Sequence, residues 1–187
     1  MFLAQSDITK YPKCTAFLAR LEGSLKGKPK ILDAFMDACM ADDQFKDVKV
    51  ARKFAKSAIQ WATAPLVDVH EGLLRVPEGG EIVDACGFTD TFPGHKPFVI
   101  VTSFWFEALE FGFELDPDRA GNRLSRTVLH ELVHWVRNAA GASDQILVGG
   151  YKGHYQEAGR VFEEAAFGTP NICTDDEIWE AILSRRK

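Results

Sequence analysis

The feature that most constrains this chain is the pair of histidines in the string His130-Glu131-Leu132-Val133-His134. Residues four apart on an α-helix lie on the same face, so the two imidazoles can bind one metal ion together. Glu131 follows the first histidine, where its carboxylate can take a proton from a water molecule that the ion holds. The string therefore predicts a helix that carries two metal ligands and a general base.

Apolar residues recur around this string at the spacing of a helix with one buried face: Leu124, Val128, Leu132, Trp135, Val136 and Ala139. At about 100° per residue, this stripe lies roughly opposite the two histidines, which therefore face outward. Asp118 or Asn122 fits the N-cap, and Gly141 fits the position just past the end. The alternative is a chance string on a solvated surface, and the apolar stripe argues against it.

Length and composition are those of an ordinary globular protein. With 187 residues, 46% of them hydrophobic and 26% charged, we expect residues 1–187 to form a single domain. The net charge is −5, and the scattered Lys and Arg residues give no basic patch for nucleic acid. Neither a membrane span nor a signal peptide is predicted. We therefore expect a cytoplasmic product in the producing cell, whose export would need a route that is independent of a signal peptide.

The remaining candidate ligands show no metal-site spacing. The four cysteines, Cys14, Cys39, Cys86 and Cys173, lie far apart and form no C-x-x-C pair. Free thiols and one or two disulfides both fit this spacing, and free thiols are favoured. His70 and His95 have no spaced partner, so they are expected to be ordinary polar residues.

The periodicity of the chain changes near residue 63. Helical spacing occurs in three segments, at 12–22, 30–40 and 42–63, with a break at 23–29 and the third as a longer surface helix. Residues 1–63 are therefore predicted to be a helical subregion, and residues 64–187 to hold the sheet, the histidine helix and the third ligand.

Short apolar runs predict four strands, at 66–69, 72–76, 81–86 and 96–102. Residues 87–96 read as a loop because they contain Gly87, Pro93 and Gly94. Most aromatic side chains of residues 104–113 are expected in the core, with a substrate pocket as the alternative. The pattern favours an α+β fold that is mostly helical and contains a small mixed sheet.

A catalytic zinc site needs a third protein ligand besides two histidines. The candidates after the helix are Asp144, His154, Glu157, Glu163 and Glu164. Glu157 is preferred because it opens a second predicted helix, 156–168, in which Gly159 would let the two helices approach closely. The alternative for Glu157 is a carboxylate that only interacts with the positive end of that helix. Glu164 comes next, Asp144 is a rival that follows a glycine-containing turn, and Glu163 is expected on the far side of the apolar stripe.

The motifs resemble those of gluzincin-type zinc metallopeptidases: His130-Glu131-Leu132-Val133-His134-Trp135, then Glu157-x-Gly159-x-x-Phe162-Glu163, then Phe167-Gly168. More narrowly, the chain is similar to the small metallopeptidase toxin domains that bacteria deliver through secretion systems such as type VI. The resemblance covers about residues 97–168. It implies a zincin-like fold, Zn²⁺ with a glutamate third ligand, Glu131 as general base, a protein or peptide substrate and a cognate immunity protein as partner.

One departure from the thermolysin-like pattern concerns the support of a ligand histidine. Those enzymes carry an aspartate four residues after the ligand glutamate, and Val161 occupies that place here. The supporting carboxylate is therefore expected elsewhere, with Glu163 and Glu164 as candidates.

These observations lead us to expect a zinc metallopeptidase with His130, His134 and Glu157 as metal ligands. The resemblance also implies a small sheet beside the histidine helix, with an edge strand that holds an extended substrate, and we expect residues 98–102 to form that edge strand. Alternatives are an amidase that acts on peptidoglycan peptides or small amides, and a non-catalytic zinc-containing module that binds a partner through residues 104–113. The donor to the oxyanion is left open among three residues, Tyr151, His154 and Tyr155.

Overall fold

The structure is a computed structural model that describes residues 1–41, 47–72, 74–78, 81–90, 98–111, 117–147 and 155–169. Its helices are α1 (Gln5–Lys10), α2 (Pro12–Ala19), α3 (Leu21–Lys26), α4 (Pro29–Met40), α5 (Val48–Ala58), α6 (Ser103–Phe111), α7 (Pro117–Ala139) and α8 (Ala158–Phe167). Its strands are β1 (Phe2–Leu3), β2 (Leu66–His70), β3 (Leu74–Glu78), β4 (Glu81–Ala85), β5 (Gly87–Asp90), β6 (Phe98–Thr102), β7 (Gln145–Leu147) and β8 (Tyr155–Glu157).

Four of the strands form one mixed sheet in the order β1-β2-β6-β5. Strands β1, β2 and β6 run parallel, and β5 runs antiparallel to β6. Two antiparallel pairs, β3 with β4 and β7 with β8, lie apart from this sheet. The expectation of a mostly helical α+β fold with a small mixed sheet is confirmed.

Strand β6 lies inside the sheet, between β2 and β5, so the prediction that residues 98–102 form the edge strand is wrong. Val99 and Val101 are fully buried, and a continuous apolar run of this kind is typical of an interior strand. Among the described residues, the edge strands are β1 and β5, and β5 falls in a segment predicted to be a loop. Gly87 obscured this strand because glycine is depleted in strands and marks turns. The rest of that predicted loop, residues 91–96, lies outside the described residues.

Helix α7 packs against helices α4, α5, α6 and α8 and against strands β5 and β6. Five members of the predicted stripe, Leu124 to Val136, are buried, and Ala139 packs at the margin of the core. Gly141 follows the helix with a positive φ of 75°, as expected for a residue that ends a helix. Asp118 and Asn122 lie inside the helix, so the prediction of an N-cap at either is wrong. The contacts of α7 with β5 and β6 place the sheet beside this helix, as predicted.

The buried Arg137 fixes α7 against α4. Its side chain donates hydrogen bonds to the main-chain oxygens of Ala38 (3.2 Å), Ala41 (2.9 Å) and Ser143 (2.6 Å). Carbonyl groups at a helix C-terminus lack partners within the helix, and a cation there is favourable. One arginine thus satisfies the end of α4 and the turn that follows α7.

The N-terminal helices differ from the predictions in number and in length. The predicted helical segment 12–22 is divided between α2 and α3, and α1 was not predicted. Helix α3 continues through Gly23, so the predicted break at 23–29 begins only near Gly27. Helix α5 spans Val48–Ala58 and buries a row of alanines, so it is shorter and less exposed than the predicted surface helix over 42–63. Residues 42–46 of that prediction lie outside the described residues.

The aromatic segment forms helix α6, in which Phe104, Trp105 and Phe106 are buried and Phe111 is exposed. Cys14 and Cys39 are free and buried, whereas Cys86 is disulfide-bonded, so the expectation of free thiols is wrong there. In the described part of the chain, no helix combines the length and apolarity that a membrane span requires.

Candidate metal centre

The two histidines of α7 turn the same ring nitrogen toward a common point. His130 and His134 keep side-chain exposures of 21% and 13%, and their ring centroids lie 5.1 Å apart. Nε2 of His134 lies 2.5 Å from Oε1 of Glu157, and Nε2 of His130 lies 3.6 Å from the same oxygen. These three residues each offer one ligand atom, and all three atoms lie within 4.8 Å of one another. The structure thus brings together the residues that the sequence proposed as metal ligands.

Glu157 reaches this point from the junction of β8 and α8, where it is the N-cap of the helix. Its carboxylate accepts hydrogen bonds from the amides of Gly159 (2.6 Å) and Arg160 (3.0 Å). Acceptors at this position satisfy amides that have no partner within the helix. The predicted helix begins at residue 156, which places Glu157 inside its first turn, whereas the observed helix begins one residue after Glu157. Capping and facing the histidines are therefore compatible roles, which the sequence analysis had treated as alternatives.

The other nitrogen of each imidazole faces a carboxylate of its own. Nδ1 of His130 lies 3.2 Å from Oε1 of Glu163, and Nδ1 of His134 lies 3.3 Å from Oδ1 of Asp144. Asp144 is held in turn by the side-chain amide of Asn138, at 3.2 and 3.3 Å. Partners at Nδ1 fix the orientation of a ligand imidazole and leave Nε2 for the metal.

The other candidate carboxylates occupy different positions from that of Glu157. Asp144, the rival third ligand, lies on the Nδ1 side of His134 and outside the group of converging atoms. Glu164 is exposed and accepts a hydrogen bond from Gln156 at 2.9 Å. Because Val161 stands where thermolysin-like enzymes have the supporting aspartate, Glu163 and Glu164 are both candidates for that role. The structure places Glu163, not Glu164, beside His130.

The burial of Glu163 corrects the predicted face of α8. The buried face holds Ala158, Gly159, Phe162, Glu163 and Ala166, whereas Ala165, which was assigned to the apolar stripe, is exposed. Glu163 is only 2% exposed, so its placement on the far side of the stripe was wrong. Apolar spacing could not reveal it, because a buried carboxylate depends on partners from another helix.

Gly159 makes the approach of α8 to α7 possible. A Cβ atom at this position would lie 2.5 Å from Nε2 of His130, far inside van der Waals contact. Any side chain here would therefore occupy the space in front of the ligand atom. The expectation that Gly159 permits close contact between the helices is confirmed, and the contact is made at Nε2 of His130.

The carboxylate of Glu131 lies against strand β5, which the sequence analysis had missed. Glu131 is 5% exposed, and Oε2 lies 3.0 Å from the hydroxyl of Thr89. A Cβ atom at Gly87 would lie 2.5 Å from Cγ of Glu131. The available signal was the aromatic and β-branched pair Phe88-Thr89, which is typical of a strand. Glu131 thus faces the ligand group from a pocket that two residues of β5 help to form.

The electrostatics of the metal-free cluster follow from its charges. Burial opposes a charge on His134, but its hydrogen bonds with Asp144 and Glu157 outweigh that effect and raise its pKa well above the usual value. The pKa of His130 is also raised: burial lowers it, and the contact with Glu163 and the nearby carboxylates more than compensate. Burial is the largest single effect on Glu157 and opposes its ionisation, yet the hydrogen bond with His134, the charges of both imidazoles and the amide of Gly159 together outweigh burial and lower its pKa to about 2. Burial raises the pKa of Glu131.

The donor set fits a catalytic metal ion. Two imidazole nitrogens and one carboxylate oxygen are a common three-ligand set for such sites, which keep a fourth position open. The carboxylates at both Nδ1 atoms leave both Nε2 atoms to face Glu157, and the bare Cα of Gly159 leaves space in front of Nε2 of His130. Of the suggested oxyanion donors, Tyr155 lies on β8 and is 55% exposed, while Tyr151 and His154 lie outside the described residues.

Comparison with models of protein families identifies a family for this chain. A family model described as metallopeptidase toxin 3 matches residues 7–168, a span that includes α7 and Glu157. No curated protein and no solved structure matches the chain.

Proposed function

This chain belongs to the metallopeptidase toxin 3 family, and we propose that it is a zinc-dependent peptidase whose general base is Glu131. Membership of the family implies a peptidase with a metal cofactor and a protein substrate. The choice of zinc, the ligands His130, His134 and Glu157 and the role of Glu131 are our proposal. It rests on one observation, the convergence of three ligand atoms within 4.8 Å beside a buried carboxylate.

The chemistry of the ligands supports zinc. Imidazole nitrogen suits zinc well, and two histidines with one glutamate form a set that catalytic zinc sites use. When bound, the ion would polarise the peptide carbonyl and lower the pKa of a water molecule. Contacts with the surrounding chain orient all three side chains: Glu163 at His130, Asp144 at His134, and the amides of Gly159 and Arg160 at Glu157.

Glu131 is suited to move the proton. Its Oε1 lies 4.0 Å from Nε2 of His130, on the side of the ligand group, while Oε2 faces Thr89. Burial raises its pKa, which brings a carboxylate closer to the range in which it can both accept and release a proton near neutral pH. In the proposed reaction, Oε1 takes a proton from the attacking water and passes it to the leaving nitrogen.

The edge of the sheet offers a place for the substrate chain. Within the described residues, β5 is the last strand of the sheet, and its residues Gly87 and Thr89 contact Glu131. An extended peptide can add to such an edge through main-chain hydrogen bonds. This geometry supports β5, in place of the predicted strand at 98–102, as the strand that aligns a peptide beside the base.

The same reading extends to the biological setting. We propose that the peptidase is an antibacterial effector that is exported by a signal-peptide-independent system such as type VI. We also propose that a cognate immunity protein blocks its active site in the producing cell. The family description as a toxin supports this proposal. Coexpression with the product of an adjacent small gene, followed by a pull-down and an activity assay, would test it.

The alternative of a binding module loses part of the surface that was assigned to it, residues 104–113. Phe104, Trp105 and Phe106 are buried in the core, so this part of the aromatic segment does not face a partner. An amidase would use the same centre, so it differs only in the substrate and is decided by a substrate screen.

The test combines metal content with turnover. We expect wild-type protein to contain one zinc by elemental analysis and to cleave fluorescein-labelled casein or peptidoglycan stem peptides. Glu131→Gln should keep the zinc and lose turnover, His134→Ala should lose the zinc, and His70→Ala, at an exposed histidine of β2, should change neither. Turnover in Glu131→Gln, or full zinc content in His134→Ala, would overturn the proposal. Cleavage of stem peptides without cleavage of casein would favour the amidase.

A further inference from the structure

The two carboxylate oxygens of Glu131 have different surroundings. Oε1 faces Nε2 of His130 at 4.0 Å, whereas Oε2 lies 3.0 Å from the hydroxyl of Thr89. The final torsion of a glutamate side chain has a broad energy minimum, so the backbone does not decide which way the carboxylate plane turns. Something outside α7 must therefore select the orientation that presents Oε1 to the ligand group.

The hydroxyl of Thr89 has one proton and two acceptors within reach. Its Oγ1 lies 3.0 Å from the main-chain oxygen of Glu131 and 3.0 Å from Oε2. A main-chain oxygen inside a helix already accepts from the amide four residues later. A hydrogen bond to an ionised carboxylate is about twice as strong as one between neutral groups. The proton is therefore best used on Oε2.

Strand β5 holds this hydroxyl in place. Residues two apart on a strand point to the same side, so Gly87 and Thr89 face Glu131 together. They pair with Val101 and Val99 of β6, which are fully buried, and Thr89 itself is only 8% exposed. The missing side chain at Gly87 leaves room for Cγ of Glu131, since a Cβ there would lie 2.5 Å from it. Strand β5 thus leaves space for Glu131 at Gly87 and donates a hydrogen bond to it from Thr89.

We propose that Thr89 is a positioning residue, whose hydroxyl holds Oε2 of Glu131 so that Oε1 faces the His130–His134–Glu157 group. This inference rests on the proposed function of Glu131 and adds a residue that the metal-binding motif does not contain. Thr89 acts through Glu131 and contacts no ligand atom of the group.

The test compares variants that separate the hydroxyl from the shape of the side chain. Thr89→Val removes the hydroxyl at nearly constant volume, Thr89→Ser keeps it, and Thr89→Ala serves if the valine variant does not fold. Thr102→Val is the matched control, because Thr102 is fully buried in the same sheet and its hydroxyl bonds the main-chain oxygen of Gly72. Rates are measured on an internally quenched peptide that spans the first casein site cleaved by the wild type.

Thr89→Val is expected to lower kcat by about tenfold to a hundredfold, with KM and zinc content unchanged. Thr89→Ser should restore most of kcat, and Thr102→Val should leave it unaltered. A purely structural role would instead lower the folded fraction and would give no rescue specific to the hydroxyl. Equal kcat in wild type and Thr89→Val, or an equal loss in Thr102→Val, would overturn the proposal.

A second readout needs neither metal nor turnover. In metal-free protein labelled with ¹³C-glutamate, the carboxyl carbon of Glu131 is the resonance that disappears in Glu131→Gln. It should shift in Thr89→Val, return toward the wild-type position in Thr89→Ser, and stay in place in Thr102→Val. An unmoved resonance in Thr89→Val would overturn the inference. If the wild type cleaves nothing, the proposed function fails, and this resonance still decides whether Thr89 holds the carboxylate.

Discussion

Helix α7 and the elements that surround its histidines reach the same site in different ways. Helix α7 supplies His130, Glu131 and His134 from one regular helix, whereas the residues that meet them come from α8 and its N-cap, from a turn and from an edge strand. The helix sets the direction of its side chains through its period alone. Its partners depend on tertiary packing, so each was harder to foresee from sequence.

The difference also separates two tasks. In the proposed function, Glu157 and the three residues of α7 carry the chemistry. Other residues outside α7 fix orientation: Glu163 and Asp144 at the Nδ1 atoms, and Thr89 at Glu131. Two glycines, Gly159 and Gly87, provide the space for these contacts. The comparison therefore predicts that changes outside α7 will damage either the metal or the base, according to the side chain that they touch.

The largest effect is expected at Gly159. In Gly159→Ala, the new methyl group would lie 2.5 Å from Nε2 of His130, so His130 or α8 must move away from the ligand group. We expect zinc affinity to fall by about a hundredfold, measured by competition with a chromophoric chelator. Gly23→Ala is the control, because a Cβ at that helical glycine meets nothing within 4 Å and zinc affinity should not change. Wild-type affinity in Gly159→Ala would show that the site is less crowded than described.

Gly87→Ala should produce the opposite pattern. Its methyl group would collide with Cγ of Glu131, so the base moves while the ligands stay in place. A displacement of about 1 Å can reduce turnover by about a hundredfold, so kcat should fall while zinc content remains that of the wild type. If Gly87→Ala lost zinc as readily as Gly159→Ala, the division between base and ligands would fail.

The two carboxylates at the Nδ1 atoms, Glu163 and Asp144, should differ in how strongly they affect zinc affinity. Glu163→Gln removes the charge of a group that is 2% exposed, and we expect zinc affinity to fall about 10- to 100-fold. The side chain of Asp144 is 41% exposed, so solvent screens it and Asp144→Asn should cost less. Titration of each variant with zinc measures the ratio. A larger loss in Asp144→Asn would mean that burial does not govern this support.

The last prediction concerns the pH dependence of zinc binding. Because the pKa of His134 is raised well above 6.5 in the metal-free cluster, a proton must leave as zinc binds. Zinc affinity should therefore rise by about tenfold per pH unit for each proton displaced, and level off only above that raised pKa. Glu157 contributes little to this slope because its pKa is lowered to about 2. In Asp144→Asn, the plateau should begin at a lower pH, and a flat profile in the wild type between pH 6.5 and 8 would contradict this account.

Much of the fold and the core of the site were accessible from sequence. The apolar stripe of α7, the mostly helical α+β fold and the convergence of His130, His134 and Glu157 correspond to patterns with a local period or a motif. Glu157 combined two local signals, a helix start and a nearby glycine at 159.

What sequence reasoning missed depends on non-local contacts. Strand β5 lies in a segment that begins with a glycine, and its pairing with β6 is what makes it a strand. The burial of Glu163 is favourable only beside His130, which lies 33 positions earlier in the chain. The place of β6 inside the sheet followed from β5, so one missed strand produced the error about the edge.

The most direct test is a crystal structure of the zinc-loaded protein with anomalous data collected at the zinc absorption edge. Our account predicts one anomalous peak about 2.0–2.2 Å from Nε2 of His130, Nε2 of His134 and a carboxylate oxygen of Glu157. Absence of a peak at this point, or a peak bound by other side chains, would contradict the central claim.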